Sequence, residues 1–268
     1  MERVISVATS DSGGGAGIQA DLKSFLRCGV YGTTAVVATT SQNTLGVEGI
    51  HALPPEVAAE QIEAVATDIG ADAVKTGMLF SAGIISAVAR TVQRLGLPNL
   101  VVDPVMVAES GAVLLEDEAV EIYKQGLFPL AAAITPNVNE AFALALPGEP
   151  VDEERIEECA RILYGFGPRA VLITGGHTAS GDDLLYDGET FIRIEGELHD
   201  TRATHGAGCT HSSALASFLA RGFGLEAAAW RARKVASGAV RHGLDEIGAG
   251  AGPVHALGGV ITLPEEDL

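Results

Sequence analysis

A glycine-flanked cysteine, Cys209, is the residue whose surroundings most suggest catalysis. It lies in the stretch 204–210, THGAGCT, directly ahead of a run of helical period. The first turn of a helix offers unpaired backbone N–H groups and the positive end of the helix dipole, so Gly206 and Gly208 could help to stabilise a transferring phosphoryl group. The same field lowers the pKa of a thiol, which makes Cys209 a candidate base toward a substrate hydroxyl. Spacing alone leaves open the alternative that Cys209 only packs within the helix.

A second stretch, 10–21, reads SDSGGGAGIQAD and joins an apolar run to a segment of helical period. Glycines at such a turn let the backbone approach a ligand closely. The stretch lacks the Gly-Lys-Ser/Thr ending of a P-loop and the spacing of a dinucleotide site, so neither common phosphate motif applies. A plain structural turn is the alternative interpretation.

A third candidate is acidic and consists of Asp103, which closes the apolar run 100–103, and Glu140, which follows Asn137. Magnesium bound to nucleotide phosphates needs few protein oxygens, so one or two carboxylates at strand ends suffice. The alternative is structural, because Asn137 could be a helix N-cap with Glu140 completing a capping box.

Short β-branched runs alternate with Ala-rich segments of helical period and predict a mostly parallel sheet covered by helices on both faces. Strands are expected at 4–8, 33–40, 73–76, 100–103, 132–135 and 170–174, and helices at about 17–28, 54–68, 81–95, 116–126, 137–146 and 152–166. An antiparallel hairpin at 184–197 and helices at about 208–221 and 225–243 follow. In such sheets ligands bind at the carboxyl ends of the strands, where the candidate residues lie.

The composition excludes several classes of protein. With 268 residues we expect a single domain, 1–268. The net charge of −18 and the absence of a dense basic run argue against a nucleic-acid partner. Three widely spaced cysteines indicate neither a disulfide scaffold nor a zinc site. No stretch approaches the length of a membrane span, so we expect an unprocessed, cytoplasmic protein without a membrane partner.

Taken together, these stretches resemble the hydroxymethylpyrimidine and phosphomethylpyrimidine kinases of thiamine biosynthesis, a branch of the ribokinase-like superfamily. The resemblance runs from about residue 4 to 255. The stretches that carry it are 10–23, 42–44, 75–78, 102–107, 135–137 with 140–141, 175–177, 204–210 and 252–255. It implies a three-layer α/β/α fold and the ATP- and Mg²⁺-dependent phosphorylation of 4-amino-5-hydroxymethyl-2-methylpyrimidine and of its monophosphate. It also implies a homodimer.

The resemblance assigns roles to individual residues. The pyrimidine would be held by Asp21, Gln42, Met78 and Val105, with Gln42 reading the ring edge and Asp21 pairing with the amino group and a ring nitrogen. Asp103 and Glu140 would be linked to magnesium. Gly206, Gly208 and Cys209 would form the anion hole and the base position. The nucleotide would be bound by Asn137, Thr174, Gly176 and Arg202.

Several departures from the family pattern bear on the phosphate site. Thr174 and Glu109 stand where the family has lysines, and Ala207 replaces a threonine. Arg202 and Lys23 remain as positive partners.

The departures and the family's relatives leave two alternatives open. A pyridoxal-type kinase would act on a related hydroxymethyl group, although Gln42 with Met78 favours a pyrimidine. A catalytically degenerate, pyrimidine-binding sensor would explain the missing lysines. Thr9, where glycine is usual, could narrow the substrate pocket.

Overall fold

Nine strands and eight α-helices are found in the computed structural model, which describes residues 1–106, 117–176 and 178–258. The strands are β1 (Arg3–Asp11), β2 (Tyr31–Asn43), β3 (Gly46–Ala52), β4 (Ala73–Thr76), β5 (Leu100–Val102), β6 (Ala133–Ile134), β7 (Val171–Ile173), β8 (Asp183–Tyr186) and β9 (Phe191–Ile194). The helices are α1 (Gly17–Arg27), α2 (Pro55–Asp68), α3 (Ala82–Leu95), α4 (Asp117–Ile122), α5 (Val138–Ala145), α6 (Ile156–Tyr164), α7 (Ala207–Ala220) and α8 (Leu225–Arg241). Among these residues, no helix is both long and apolar enough to cross a membrane.

The strands form one sheet in the order β3-β2-β1-β4-β5-β6-β7-β8-β9. The pairs from β2 to β7 are parallel, whereas β3 pairs antiparallel with β2, and β8 and β9 form the predicted antiparallel hairpin. The predicted α/β class with a mostly parallel sheet is therefore confirmed. Strand β3 was not predicted, because its Gly46 and Gly49 interrupt the alternation that marks a strand.

Successive residues of the central strands point to opposite faces of the sheet. Val4 packs against α1, α7 and α8, whereas the next residue, Ile5, packs in the cluster built by α2, α3, α5 and α6. Ala73 and Val74 divide in the same way between the two clusters. Strands covered on both faces bury successive residues, which is why these runs showed no regular polar alternation in the sequence. Ser6 and Lys75 are buried polar residues within them. The result is three layers, with helices on either side of the sheet.

Helix α7 differs from the other helices because four consecutive polar residues near its start, Thr210 to Ser213, are buried. Residues Thr210 to Phe218 are all buried, and the helix contacts β1, β4 and β5 as well as α1 and α8. Its N-cap is Gly206, with a φ of 88°. A Cβ atom there would lie 1.9 Å from the carbonyl oxygen of Gly15, so only glycine allows the glycine loop and the start of α7 to touch.

Candidate functional site

Three consecutive side chains of α7 each contact a different buried aspartate beside the carboxyl ends of the strands. The contacts are His211 Nε2 to Asp183 Oδ2 (2.9 Å), Ser212 Oγ to Asp103 Oδ2 (2.9 Å) and Ser213 Oγ to Asp21 Oδ1 (2.7 Å). Buried carboxylates require such partners. These contacts fix the N-terminus of α7, including Gly206, Gly208 and Cys209, over the edge of the sheet where ligands bind in this class of fold.

Beneath this helix end lies an ion pair with no exposed surface. Lys75 Nζ is 2.8 Å from Asp21 Oδ1, and Ser6 Oγ donates to Asp21 Oδ2 at 2.5 Å. Burial alone would lower the pKa of Lys75, but Asp21, Cys209 and Asp103 more than offset it and raise that pKa. Lys75 therefore stays charged, and sequence reasoning had given it no role.

Asp21 supports the start of α7 from within the core. Its Oδ1 accepts hydrogen bonds from Lys75 and Ser213, its Oδ2 accepts one from Ser6, and the residue is fully buried. Asp21 thereby holds Lys75 and α7 in place. Its predicted pairing with the pyrimidine stays a prediction.

Cys209 keeps some exposed surface, but its thiol is enclosed by protein. Burial, together with the carboxylates of Asp21 and Asp103, raises the pKa of Cys209 to about 12. Lys75 and the backbone N–H of Gly17 act in the opposite direction without outweighing them. The expectation that the helix field lowers this pKa is thus wrong, because desolvation and two nearby carboxylates exceed the effect of the dipole. At neutral pH the thiol is protonated.

The glycine loop after β1 is organised by a carboxylate. Asp11 Oδ1 accepts the N–H of Gly13 (2.8 Å), and Oδ2 accepts those of Gly15 (2.9 Å) and Ala16 (2.8 Å), with His205 Nε2 at 3.2 Å from Oδ2. Burial would raise the pKa of Asp11, but these hydrogen bonds hold it below its ordinary value. An aspartate followed by serine and glycines is a recognisable signal for such a turn, which sequence reasoning missed.

Glu140 takes part in the capping box that was its structural alternative, and the link of Asp103 and Glu140 to magnesium stays a prediction. Asn137 and Glu140 form a capping box, with distances of 2.9 Å in both directions. Burial raises the pKa of Asp103, and burial with the nearby Asp103 charge raises that of Glu140 to about 8. A helix cap does not require two buried carboxyls close together, because a capping carboxylate is usually exposed. A divalent cation would relieve the repulsion between these two buried carboxyls.

The residues predicted to bind nucleotide are only partly brought together. Asn137 and Thr174 are bridged at neighbouring strand ends, where the Thr174 N–H donates to the Pro136 carbonyl at 2.9 Å. Gly176 is exposed in the next turn. Arg202 is exposed and donates to the carbonyl of Asp245, 2.9 Å away, in the segment after α8. The predictions for Glu109, Val107 and His177 lie outside the described residues.

The loop that carries Gly176 is anchored by a residue that sequence reasoning overlooked. Asp183 Oδ1 accepts the N–H of Gly175 at 2.9 Å, and the same carboxylate contacts His211 and Arg233. His211 and Arg233 hold the pKa of Asp183 below its ordinary value although its burial acts in the opposite direction. The loop is therefore tied to both α7 and α8.

The other residues predicted to hold the substrate lie at the ends of neighbouring strands. Gln42, Met78 and Val105 are all partly exposed. Thr9 is buried, and its hydroxyl donates to the carbonyl of Met78 at 3.1 Å. Thr9 thus braces the loop after β4. Lys23 Nζ, at 2.6 Å from the Gly14 carbonyl, braces the glycine loop in the same way.

Removing Lys75 should strongly destabilise the fold, because Asp21 would remain buried and unpaired. We expect Lys75→Met to lower the free energy of unfolding by about 3 to 5 kcal/mol in urea denaturation followed by circular dichroism. Arg94→Met, which breaks the exposed pair with Glu63, is the matched control and should have a much smaller effect. Adding Asp21→Asn to Lys75→Met should recover part of the loss. Equal losses in the two single variants would contradict the importance of the buried pair.

Glu140 should make the metal-free protein less stable as the pH rises. Its pKa is about 8 when folded against an ordinary value of 4.5, so folding takes up a proton between these values and is opposed by raising the pH. Glu140→Gln retains an oxygen for the capping box and should flatten the fall in unfolding free energy between about pH 4.5 and 8. Glu60→Gln, at an exposed position, should leave the slope unchanged. An unaltered slope in Glu140→Gln would show that Glu140 ionises normally.

Comparison with known proteins agrees with this geometry. A family model described as phosphomethylpyrimidine kinase matches residues 11–255. The thiamine biosynthesis bifunctional protein ThiED of Geobacter sulfurreducens is 48% identical over 95% of this chain, which spans 52% of that relative's length. The hydroxymethylpyrimidine/phosphomethylpyrimidine kinase of Bacillus subtilis is 43% identical, with 94% of each chain covered.

The fold is shared with solved structures of vitamin kinases. An ADP complex of Bacillus subtilis pyridoxal kinase is 36% identical, with a TM-score of 0.89 over 96% of this chain and 98% of the other. This neighbour confirms the predicted ribokinase-like architecture. Together with the match over residues 11–255, it shows that the chain belongs to the phosphomethylpyrimidine kinase family.

Proposed function

We propose that this protein phosphorylates 4-amino-5-hydroxymethyl-2-methylpyrimidine and then its monophosphate, with ATP as the donor, in thiamine biosynthesis. The named activity of the Bacillus subtilis relative, which matches along nearly its whole length, supports this substrate. The observation that carries the proposal is the first turn of α7, which is held by buried contacts over Lys75 at the carboxyl ends of the strands. Phosphoryl transfer needs positioned positive charge and backbone donors at such a place.

Asp103 and Glu140 are the residues that would hold Mg²⁺. Both are buried carboxyls with raised pKa values, and a bound cation would neutralise them together with the ATP phosphates. The described residues contain no cluster of three or more His, Cys, Asp or Glu side chains arranged for a metal. Such a small ligand set suits a magnesium ion that takes its remaining ligands from phosphates and water.

The first-turn amides of α7 would face the transferring phosphoryl group. Gly208 has open space around it, and the helix start has no side-chain cap that would occupy the amides. Ala207 lacks the hydroxyl and Thr174 the amino group that the family pattern places nearby. We propose that the amides, the dipole of α7 and the buried charge of Lys75 carry the stabilisation that these side chains would otherwise share.

The nucleotide and substrate would approach from neighbouring strand ends. Asn137, Thr174 and Gly176 follow β6 and β7 and would contact the nucleotide, and Arg202 would do so only after giving up its bond to Asp245. Gln42, near the end of β2, and Met78 and Val105, which follow β4 and β5, would hold the pyrimidine. We further propose that the protein acts in the cytoplasm as a single-domain homodimer. Two exposed apolar residues near the β3 edge, Leu45 and Ile247, support a partner surface there.

Pyridoxal kinase activity is the second candidate. It is favoured by the TM-score of 0.89 to a pyridoxal kinase. The two activities share a hydroxymethyl acceptor, so the fold does not distinguish them. The ring edge distinguishes the two activities, since the pyrimidine carries an amino group and a ring nitrogen with which an amide such as Gln42 can pair.

The products made from ATP and each ring test the proposal. With the pyrimidine and Mg²⁺ we expect mass spectrometry to detect first the monophosphate and then the diphosphate, and far less phosphorylated pyridoxal. Preferred turnover of pyridoxal would establish the second candidate. If neither ring is phosphorylated while the pyrimidine still raises the melting temperature, the protein is a pyrimidine-binding sensor.

Cys209 can act as a base only in its thiolate form, which its pKa of about 12 makes a minor species at neutral pH. If it serves that role, kcat should rise with pH across the neutral range, because the thiolate fraction increases tenfold per pH unit below the pKa. We expect Cys209→Ala to lose about a hundredfold in kcat and to lose this pH dependence, with an unchanged circular dichroism spectrum. Unchanged turnover in Cys209→Ala would assign Cys209 to packing.

A further inference from the structure

The Gln42 side chain lies between two hydrogen-bonded pairs that start from the glycine loop. On one side, Gln42 Nε2 is 3.4 Å from His205 Nε2, which is itself 3.2 Å from Asp11 Oδ2. On the other side, Gln42 Oε1 is 3.1 Å from Thr40 Oγ1, which is 3.1 Å from the carbonyl oxygen of Ser10. The hydrogens available to each pair decide which way the carboxamide must face.

The pair on the histidine side fixes one proton. Asp11 accepts three backbone N–H groups and its pKa lies below the ordinary value, so it is a carboxylate that accepts from His205. His205 Nε2 therefore carries the hydrogen. A Gln42 NH₂ group facing that nitrogen would place two donors against each other, whereas the carboxamide oxygen would be a second acceptor that shares the single Nε2 hydrogen with Asp11.

The pair on the threonine side leads independently to the same orientation. A hydroxyl has one hydrogen, and the Ser10 carbonyl can only accept it. With that hydrogen used, Thr40 Oγ1 offers lone pairs to Gln42, and these require an N–H donor. Turning the carboxamide of Gln42 by half a turn satisfies both neighbours at once and keeps both distances.

We infer that the pairs Asp11–His205 and Ser10–Thr40 lock the Gln42 carboxamide with its oxygen toward His205 and its nitrogen toward Thr40. His205 and Thr40 are then positioning residues that determine which ring edge Gln42 can read. This inference rests on the proposed function in placing a pyrimidine against Gln42.

The surrounding structure is shaped to hold this lock. The ring of His205 occupies the space beside Gly15, where a Cβ atom would lie 2.2 Å from the ring carbon Cδ2. Ser12 Oγ contacts both the N–H and the carbonyl of Gln42 at 2.8 Å. A register shift between Ser41 and Gln42, where β2 pairs with β3, redirects the Gln42 side chain.

A locked carboxamide discriminates between rings that a free one accepts equally. The 4-aminopyrimidine edge offers an amino donor beside a ring-nitrogen acceptor, and the 4-oxo analogue offers the reverse, a carbonyl acceptor beside a ring N–H donor. A free carboxamide pairs with either edge by turning half a turn. A carboxamide held by His205 and Thr40 pairs with the amino edge. On the oxo edge it would place its oxygen against an acceptor and its NH₂ group against a donor.

The test compares kcat/KM for the 4-amino substrate and for its 4-oxo analogue, 5-hydroxymethyl-2-methylpyrimidin-4-one. Wild type should strongly prefer the amino ring. In His205→Ala and Thr40→Val this ratio should fall about tenfold or more, the scale of one orienting hydrogen bond, while KM for ATP stays unchanged. Gly15→Ala, which displaces the His205 ring, should have the effect of His205→Ala. His205→Gln, which can still donate an N–H, should retain part of the preference, and Gln42→Ala should lose it.

Equal losses for both rings in His205→Ala and Thr40→Val, with the ratio preserved, would reduce these residues to a structural role and overturn the lock. A readout without substrate separates this result from failure of the proposed function. Nitrogen NMR of the ligand-free protein at pH 8 should show His205 in the Nε2–H tautomer in wild type. The Nδ1–H tautomer there would overturn the lock whatever the enzyme phosphorylates.

Discussion

The site depends on the burial of three aspartates beneath one helix. A carboxylate removed from water must be hydrogen-bonded, and α7 supplies a partner to each through His211, Ser212 and Ser213. In return the aspartates fix where α7 begins. Its following apolar residues, Ala214 to Ala216, pack in the core between sheet and helices, so the helix cannot shift along its axis without breaking both sets of contacts.

Glycines serve mainly to bring backbone segments together in this site. Gly15 and Gly206 are in contact, and the absence of side chains there lets the loop after β1 meet the start of α7. Gly17 has a φ of 57° and lies against the carbonyl of Thr9, which closes the loop back onto β1. The loop needs no P-loop lysine to be ordered, because the carboxylate of Asp11 collects its N–H groups. The loop is thus ordered by a carboxylate of the protein itself.

Local patterns in the sequence predicted the fold well, because they are governed by short-range rules. The apolar runs around Ile5 and Val74 marked buried strands, and the helix predicted at about 81–95 is α3, where Ser81 accepts the N–H of Ile84 as the N-cap. Strand β3 escaped prediction since an edge strand with glycines has little to bury. Features that depend on long-range contacts could not be predicted from the spacing of residues in the sequence.

The site residues illustrate this limit. Asp21 and Ser213 are 192 residues apart in the chain, yet their contact makes Asp21 a buried support of α7, which its spacing in the sequence did not indicate. Burial, with Asp21 and Asp103 nearby, reverses the direction expected for the pKa of Cys209, because a helix end is visible in the sequence whereas its burial beside folded carboxylates is not. Motifs therefore located the site, whereas the ionisation of its members required the structure.

The charge of the site explains why a divalent cation belongs to the proposed chemistry. Asp21 and Asp103 are buried close to Lys75, and Glu140 is buried close to Asp103, in a chain of net charge −18. Lys75 is already paired with Asp21, so the ATP phosphates would meet two further carboxyl groups and a protein of the same sign. The helix dipole provides about half a unit of positive charge, which is too little for a triphosphate. Under the proposed function, a cation held by the acids would therefore be needed for the nucleotide to bind productively, and a threonine rather than a lysine at position 174 would deepen that dependence.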